Sequence, residues 1–206
     1  MLKKLKGWIL PKEIDFFESL HQQSLSTKVI IDEMAKVYIE GDEKNKQIFE
    51  LIAAAKQLRK KNLQELNSTF ITPVDKEAIS RAYIHLHWIV LSVKHLVVEI
   101  NAYQIYQLNN YHQMFELLCQ EITELSAGFK ILDSKEYDEV LKKIYEVIHL
   151  DNLLIKEYAT ILATLFKGND MQQIFEHKEI LSQMKEISKR IHFCANQLED
   201  IVFKMN

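Results

Sequence analysis

The sequence has few of the residues that interrupt helices. Of its 206 residues, only 4 are glycine and 2 are proline. Sheets and turn-rich folds need these residues for their frequent chain reversals, so their scarcity favours a few long helices. Four isolated glycines also cannot form the glycine-rich loop that surrounds a nucleotide phosphate. The composition therefore predicts an all-α protein without a nucleotide-binding loop.

The sequence also has only 2 cysteines, no large excess of acidic or basic residues, and no long apolar run. Cys119 and Cys194 are far apart and lie in apolar helical patterns, which predicts reduced core residues rather than a disulfide framework. The 26 basic and 29 acidic residues are interspersed, so no nucleic-acid partner is expected. The most apolar stretch, Leu86–Ile100, is too short and too polar to span a bilayer. We expect a cytoplasmic protein, and the basic segment 1–10 leaves open a peripheral position at the inner face of the membrane.

Helix-spaced pairs of acidic residues are absent from the sequence. Carboxylates at positions i and i+4 lie on one helix face and can bridge hard cations, but no two acids here have that spacing. An acid followed by a base at i+4 is common instead, as in Glu77–Arg81, and indicates solvated surface pairs. The sequence therefore predicts no catalytic residues, no cofactor-binding residues and no metal ligands.

The apolar residues follow the period of a helix bundle. They recur at alternating steps of three and four, as in Phe115, Leu118 and Ile122, and this pattern buries one side of each helix. Thr72 before Pro73 predicts the start of helix 3, and Asp133 and Asp170 are predicted to cap helices 5 and 6. The predicted helices cover about 12–40, 42–68, 73–107, 110–129, 133–167 and 170–206, with a break near Glu176 left open in the last.

A short internal similarity divides the chain into two units. Leu66–Phe70 closes helix 2, and the similar segment Leu162–Phe166 closes helix 5; each precedes a short loop and a long helix. We therefore predict a single domain, 1–206, that is a six-helix bundle of two three-helix repeats. The repeats are expected at about 12–107 and 110–206.

Two Glu-x-x-His pairs, Glu18–His21 and Glu146–His149, form the basis of an alternative function. Four-helix di-metal carboxylate enzymes and stores use this spacing, because residues three apart project together into the bundle core. Helix 5, however, has its apolar positions at Ile144 and Ile148, which predicts that Glu146 faces solvent. Such a site requires both pairs to point inward.

Two longer segments resemble a known family. Leu66–Glu77 resembles the signature loop of the PhoU-like family linked to Pit-type phosphate transporters, and Ala195–Lys204 resembles the end of that family. Leu10–Phe17 and His177–Ile180 also resemble segments of that family. The resemblance implies a two-repeat helical bundle and a non-enzymatic accessory or regulatory role at a Pit-type inorganic phosphate transporter. We also expect homo-oligomerisation, because the apolar side of helix 3 is longer than packing inside the bundle requires.

The resemblance also implies Glu/Asp-x-x-x-Asp motifs that hold metal clusters on the inner helices. The corresponding positions of this sequence carry mostly lysine, histidine or apolar residues, so we predict that the clusters have been lost. The positions are Ile52 and Lys56 in helix 2, His87 and Leu91 in helix 3, Lys189 and Phe193 in helix 6, and either Asp151 with Ile155 or Asn152 with Lys156 in helix 5.

At most one acid, Asp151, remains at these positions. It lies between Ile148 and Ile155 on the apolar side of helix 5, where an acid without a partner is costly. We expect either that Lys56 or Lys189 pairs with it, or that it lies at a solvated edge. A third function is also open, a structural helical scaffold that has drifted from any phosphate role.

Overall fold

The computed structural model describes residues 14–40 and 46–205. Over these residues the chain is helical and contains no strand. The sequence also predicts Gly41 as a left-handed C-terminal cap of the first helix. This residue and the basic segment 1–10 lie outside the described residues. The helices are α1 (Phe16–Glu40), α2 (Lys46–Ser68), α3 (Lys76–Tyr103), α4 (His112–Lys130), α5 (Tyr137–Leu165) and α6 (Met171–Met205), with short 3-10 turns at Asn109–Tyr111 and Leu132–Ser134.

The helices form the predicted six-helix bundle of two three-helix units. Helix α1 packs against α4, and α3 packs against α6, so equivalent helices of the two units meet at the centre. Helix α2 covers α1 and α3, while α5 covers α4 and α6. Arg81 contacts Asp200 at 3.0 Å, and Gln183 donates to Glu99 at 2.7 Å, so α3 and α6 are antiparallel. The fold class is confirmed, and the domain and repeat limits stay predictions.

The predicted apolar positions form the core. Phe115, Leu118 and Ile122 of α4 are fully buried, as the spacing of three and four requires. Cys194 is also fully buried, whereas Cys119 is half-buried at the edge of the core. Burial raises the pKa of both thiols, that of Cys119 to about 12, so neither is a reactive thiolate.

Helix α3 is the most apolar helix of the bundle centre. By length and composition alone it could cross a membrane, and half of its apolar window is buried inside the bundle. A core helix has this composition because it packs against neighbours on several sides, so the composition is weak evidence for a span. Trp88 and Val98, however, are 40% and 47% exposed. The surface of α3 therefore retains large apolar side chains.

The ends of α3 differ from the prediction. Asp75, not Thr72, is the N-cap, and its carboxylate accepts from the backbone N–H of Glu77 at 3.1 Å. The hydroxyl of Thr72 donates to the carbonyl of Val74 instead, so it stabilises the preceding turn. The helix ends at Tyr103 rather than near Gln107 because Gln104 takes a φ of 59° and its N–H donates to Ile100.

Of the two caps predicted at the starts of α5 and α6, only the second forms. Asp133 lies in the 3-10 turn and Lys135 adopts a φ of 63°, so the expected capping box does not form and α5 begins at Tyr137. Asp170 does cap α6, because its carboxylate accepts from the N–H of Gln173 at 3.1 Å. Helix α6 then continues without a break at Glu176.

Candidate functional site

Two acidic side chains are buried between α4, α5 and α6. Glu121 of α4 is 0% exposed and Asp151 of α5 is 7% exposed. Ser188 of α6 lies between them, with its Oγ 2.7 Å from Glu121 Oε1 and 2.7 Å from Asp151 Oδ1. His192, one turn further along α6, places Nδ1 2.7 Å from Asp151 Oδ2. We call these four residues the acidic cluster.

Helix geometry explains how α6 supplies two partners to one carboxylate. Ser188 and His192 are four residues apart, so their side chains lie one above the other on the same face of α6. Asp151 faces them from α5, where it lies among the buried residues Val147, Leu150 and Leu154. The acidic cluster is therefore assembled by packing of the three helices of the second unit.

The acidic cluster must hold a proton on one carboxyl group. The hydroxyl of Ser188 has one hydrogen and cannot donate to both carboxylates, so one acid must donate its own O–H to Ser188. Burial raises the pKa of Glu121 well above its usual range, the bond to Ser188 lowers it in part, and the charge of Asp151 raises it further. Glu121 is thus the neutral acid that donates to Ser188, while Ser188 and His192 donate to Asp151.

One oxygen of Glu121 has no hydrogen-bond partner among the described residues. This atom, Oε2, is buried, and the other oxygen is occupied by Ser188. An unpartnered oxygen of a neutral acid costs much less than that of a buried carboxylate. The geometry of Glu121 therefore agrees with the protonated state.

The lysine partner predicted for Asp151 is wrong. Asp151 pairs with His192, while the ammonium of Lys189 lies 5.6 Å from the ring centre of Phe193 and Lys56 is exposed on α2. Asp151 is also too buried to be an acid at a solvated edge.

The burial of Glu121 was not predicted, although the sequence contains a pattern that indicates it. Glu121 lies three residues after Leu118 and four before Leu125, at a core position of α4.

The positions that the resemblance assigns to metal ligands do not fit a cation cluster. Lys56, Lys189 and Lys156 are exposed, and Ile155 and Phe193 are 44% and 39% exposed. Over residues 14–40 and 46–205, no group of three or more His, Cys, Asp and Glu residues could hold a metal ion. Apart from His87 and either Asp151 or Asn152, these positions lack the donors that bridge hard cations, because lysine repels a cation and apolar side chains offer no ligand.

The two Glu-x-x-His pairs of the alternative function do not share a core. Glu146 and His149 are exposed, which confirms the predicted orientation of Glu146. Glu18 is also exposed, and its Oε2 lies 3.6 Å from His21 Nδ1 within α1. A di-metal site needs both pairs to project inward, so the geometry does not support it.

The first unit contains a buried polar network of its own. Gln23 of α1 donates to the backbone carbonyl of Tyr83 at 2.8 Å, and Asn62 of α2 donates to Gln23 Oε1 at 3.0 Å. The hydroxyl of Ser19 contacts the hydroxyl of Tyr83. Burial raises the pKa of Tyr83 to about 12. We call Ser19, Gln23, Asn62 and Tyr83 the neutral cluster. All of its members are uncharged at neutral pH.

Comparisons with known proteins identify the fold. No family model matches the sequence. The UPF0111 protein YkaA of Bacillus subtilis (strain 168) is 26% identical over 149 residues, which are 69% of this chain and 70% of that protein. The crystal structure of a PhoU-like protein from Shewanella oneidensis MR-1 superposes with a TM-score of 0.79 at 14% identity, and covers 92% of this chain and 99% of the other. This match confirms, at the level of the fold, the resemblance predicted from segments 66–77 and 195–204.

Proposed function

Because the chain has the PhoU-like fold, we propose that it is an accessory or regulatory protein of inorganic phosphate transport that acts through contacts with other proteins. The superposition on a PhoU-like structure over 92% of the chain is the observation that supports this function most directly. The resemblance of Leu66–Glu77 and Ala195–Lys204 to the family segments supports a Pit-type transporter as the partner.

The acidic cluster supports a role without catalysis. Glu121 is fully buried and Asp151 nearly so, and their bonded oxygens contact Ser188 and His192 rather than solvent. Their hydrogen bonds connect α4, α5 and α6 to one another, so the cluster ties the helices of the second unit together.

The cavity beside Cys119 also supports a role without catalysis. It has a volume of about 390 Å³ and is lined by residues of α1, α4 and α5. Three of the four charged residues that line it are paired, Lys28 with Asp32 and Glu124 with Lys143 at 2.8 Å, and the fourth, Glu146, is exposed. The thiol of Cys119 has its pKa raised to about 12, first by burial and then by Asp32, so it is not an activated nucleophile.

The loop before α3 offers a contact for the transporter. Phe70 is 99% exposed and Ile71 is 85% exposed, and both belong to the segment that resembles the family signature. Neighbouring apolar side chains that are this exposed are typical of protein contact sites. Phe166, at the end of α5, is also exposed but lies in the second unit, where it provides a matched control.

A membrane pull-down combined with phosphate uptake tests the proposed function. We expect the affinity-tagged chain to recover a Pit-type transporter, and deletion of the gene to change phosphate uptake. The double variant Phe70→Ser/Ile71→Ser should recover much less transporter, whereas Phe166→Ser should recover as much as the wild type. Unchanged uptake together with no recovered transporter would contradict the proposal and would favour a structural scaffold. Self-association and a cytoplasmic position at the inner face of the membrane remain predictions.

A further inference from the structure

Exposed and half-buried apolar side chains lie on the neighbouring surfaces of helices α3 and α6. Trp88, Leu91 and Val98 lie along one side of α3 at helical spacing, and Trp88 and Val98 are 40% and 47% exposed. Phe193 of α6 is 39% exposed. The guanidinium of Arg190 lies 5.5 Å from the ring centre of Trp88, which joins the surfaces of the two helices. We call the surface formed by Trp88, Leu91, Val98, Lys185, Lys189 and Phe193 the α3–α6 face.

Two lysines on the α3–α6 face have no acidic partner. Among the described residues, no carboxylate lies within ion-pair distance of Lys185 or Lys189. Their ammonium groups instead lie over aromatic rings, Lys185 at 4.3 Å from the ring centre of Tyr158 and Lys189 at 5.6 Å from that of Phe193. The other basic residues of α6 are paired: Lys178 with Glu179, Arg190 with Glu186, and Lys204 with Asp75 and Asp200.

The positive charge extends towards α2. Burial lowers the pKa of His87 on α3, and the charges of Arg59 and Lys56 on α2 lower it further, so both cations lie near this histidine. Neither Lys56 nor Arg59 forms an ion pair among the described residues. The acid on the nearby part of α6, Glu186, is neutralised by Arg190 at 2.6 Å. The middle of the face is therefore basic.

The chemistry of the face favours a lipid surface over a second copy of the chain. Like charges would oppose each other if two copies met through this basic surface. A tryptophan and a phenylalanine beside lysines are the side chains that bind at the interface of anionic bilayers, with rings at the headgroups and ammonium groups on phosphates.

We propose that the α3–α6 face docks on the surface of an anionic phospholipid bilayer. Trp88 and Phe193 enter the headgroup region, and Lys185 and Lys189 contact the lipid phosphates. Bound in this way, the bundle lies flat on the bilayer and does not span it. The proposal does not rest on the phosphate-transport function, because it requires only lipid.

Trp88 provides a direct probe of docking. The chain has 2 tryptophans, so Trp8→Phe leaves Trp88 as the sole tryptophan. This variant is mixed with vesicles of phosphatidylcholine alone or of phosphatidylcholine with phosphatidylglycerol. We expect sedimentation with the anionic vesicles only, a blue shift of the Trp88 emission, and quenching of that emission by brominated acyl chains. Raising the salt concentration should weaken binding because the lysine–phosphate attraction is screened.

Paired charge reversals test whether this face is the one that binds. Lys185→Glu/Lys189→Glu should weaken the apparent affinity for anionic vesicles by at least about tenfold. The control Lys36→Glu/Lys130→Glu changes the net charge by the same amount at exposed positions of α1 and α4. At a salt concentration that screens the overall repulsion between protein and vesicle, its affinity should stay within about twofold of the wild type. Phe193→Ser should weaken binding without a change in net charge. Far-UV circular dichroism verifies that each variant is folded.

Several results would overturn docking through the α3–α6 face. These are no binding to anionic vesicles, binding without quenching of Trp88, and equal losses for the two charge-reversal pairs. A blue shift that grows with protein concentration before lipid is added would show that a second copy covers the face. Binding only to vesicles that contain a transporter would show a protein partner instead. Each of these results leaves the uptake and pull-down tests of the proposed function unaffected.

Discussion

The neutral cluster of the first unit and the acidic cluster of the second unit are both built from all three helices of their unit. In the neutral cluster, the amides of Gln23 and Asn62 and the hydroxyls of Ser19 and Tyr83 donate and accept without carrying charge. In the acidic cluster, two carboxyl groups share one hydroxyl, so the network is complete only when one acid is protonated. Two similar packing arrangements therefore hold a fixed network in one unit and a proton-dependent network in the other, according to residue type.

The largest effect is expected from Asp151→Ala. The change removes the acceptor of Ser188 and His192 at once, and should lower the free energy of unfolding by about 3 kcal/mol. Urea unfolding followed by circular dichroism measures it. Asn152→Ala, at the exposed neighbouring position, is the control and should cost less than about 0.5 kcal/mol. A loss of under about 1 kcal/mol for Asp151→Ala would contradict the structural role of the acidic cluster.

The next effect is expected when an acid is placed in the neutral cluster. Asn62 is 2% exposed, and Asn62→Asp buries a carboxyl group where no basic partner is available in the cluster. Its folded-state pKa should rise through desolvation, so the variant should lose about 2 kcal/mol of unfolding free energy at neutral pH and less under acid conditions. Urea unfolding at several pH values measures the difference. A variant equally destabilised at all pH values would show that lost hydrogen bonds, and not charge, are the cause.

The third change in stability is expected from Glu121→Gln, which removes the pH dependence of the acidic cluster. The pKa of Glu121 is raised in the folded protein, so its contribution to stability is full below the unfolded pKa, near 4.5, and is lost as the pH rises towards the folded pKa. Glu121→Gln keeps a donor to Ser188 without titrating. The variant should therefore unfold at a higher urea concentration than the wild type at neutral pH, and the two should converge near pH 4.5.

An unchanged pH dependence in Glu121→Gln would assign the shared proton elsewhere. Gln23→Glu, in the neutral cluster, is the reciprocal change and should create the same direction of pH dependence. Together the two variants test whether the difference between the units depends on residue type alone.

The smallest effect is expected from Tyr83→Phe. The change removes the hydroxyl that contacts Ser19 but keeps the buried ring, so the unfolding free energy should fall by about 1 kcal/mol. Because no charge is involved, the loss should be the same between pH 5 and pH 8. A loss that varies with pH over this range would contradict the neutral character of the cluster.

Much of the fold was accessible from the sequence because it depends on local spacing. The three- and four-residue steps along α4 predicted the buried Phe115 and Leu118, and the seam of α5 predicted that Glu146 is exposed. Helix ends were less accessible. Thr72 and Asp75 are both good capping residues, and the backbone of the loop, not residue type, decides which of them accepts from the backbone N–H of Glu77.

The candidate site was only partly accessible. The sequence placed Asp151 on a buried side of its helix, whereas Glu121 was missed, although its spacing from Leu118 and Leu125 is that of a core position. The bridge through Ser188 could not be predicted, because serine at a core position of α6 does not indicate what it contacts.

The sequence by itself determined the all-α class, the two-unit order of the helices and the side of each helix that is buried, since these follow from composition and from the period of the helix. Only the tertiary structure decided that Asp151 pairs with His192 and not with Lys189, although both lie on α6. The two residues are three apart and point in directions about 60° from each other around the helix axis. Which of them reaches Asp151 depends on the rotation and height of α6 against α5, and that is set by the packing of the whole core.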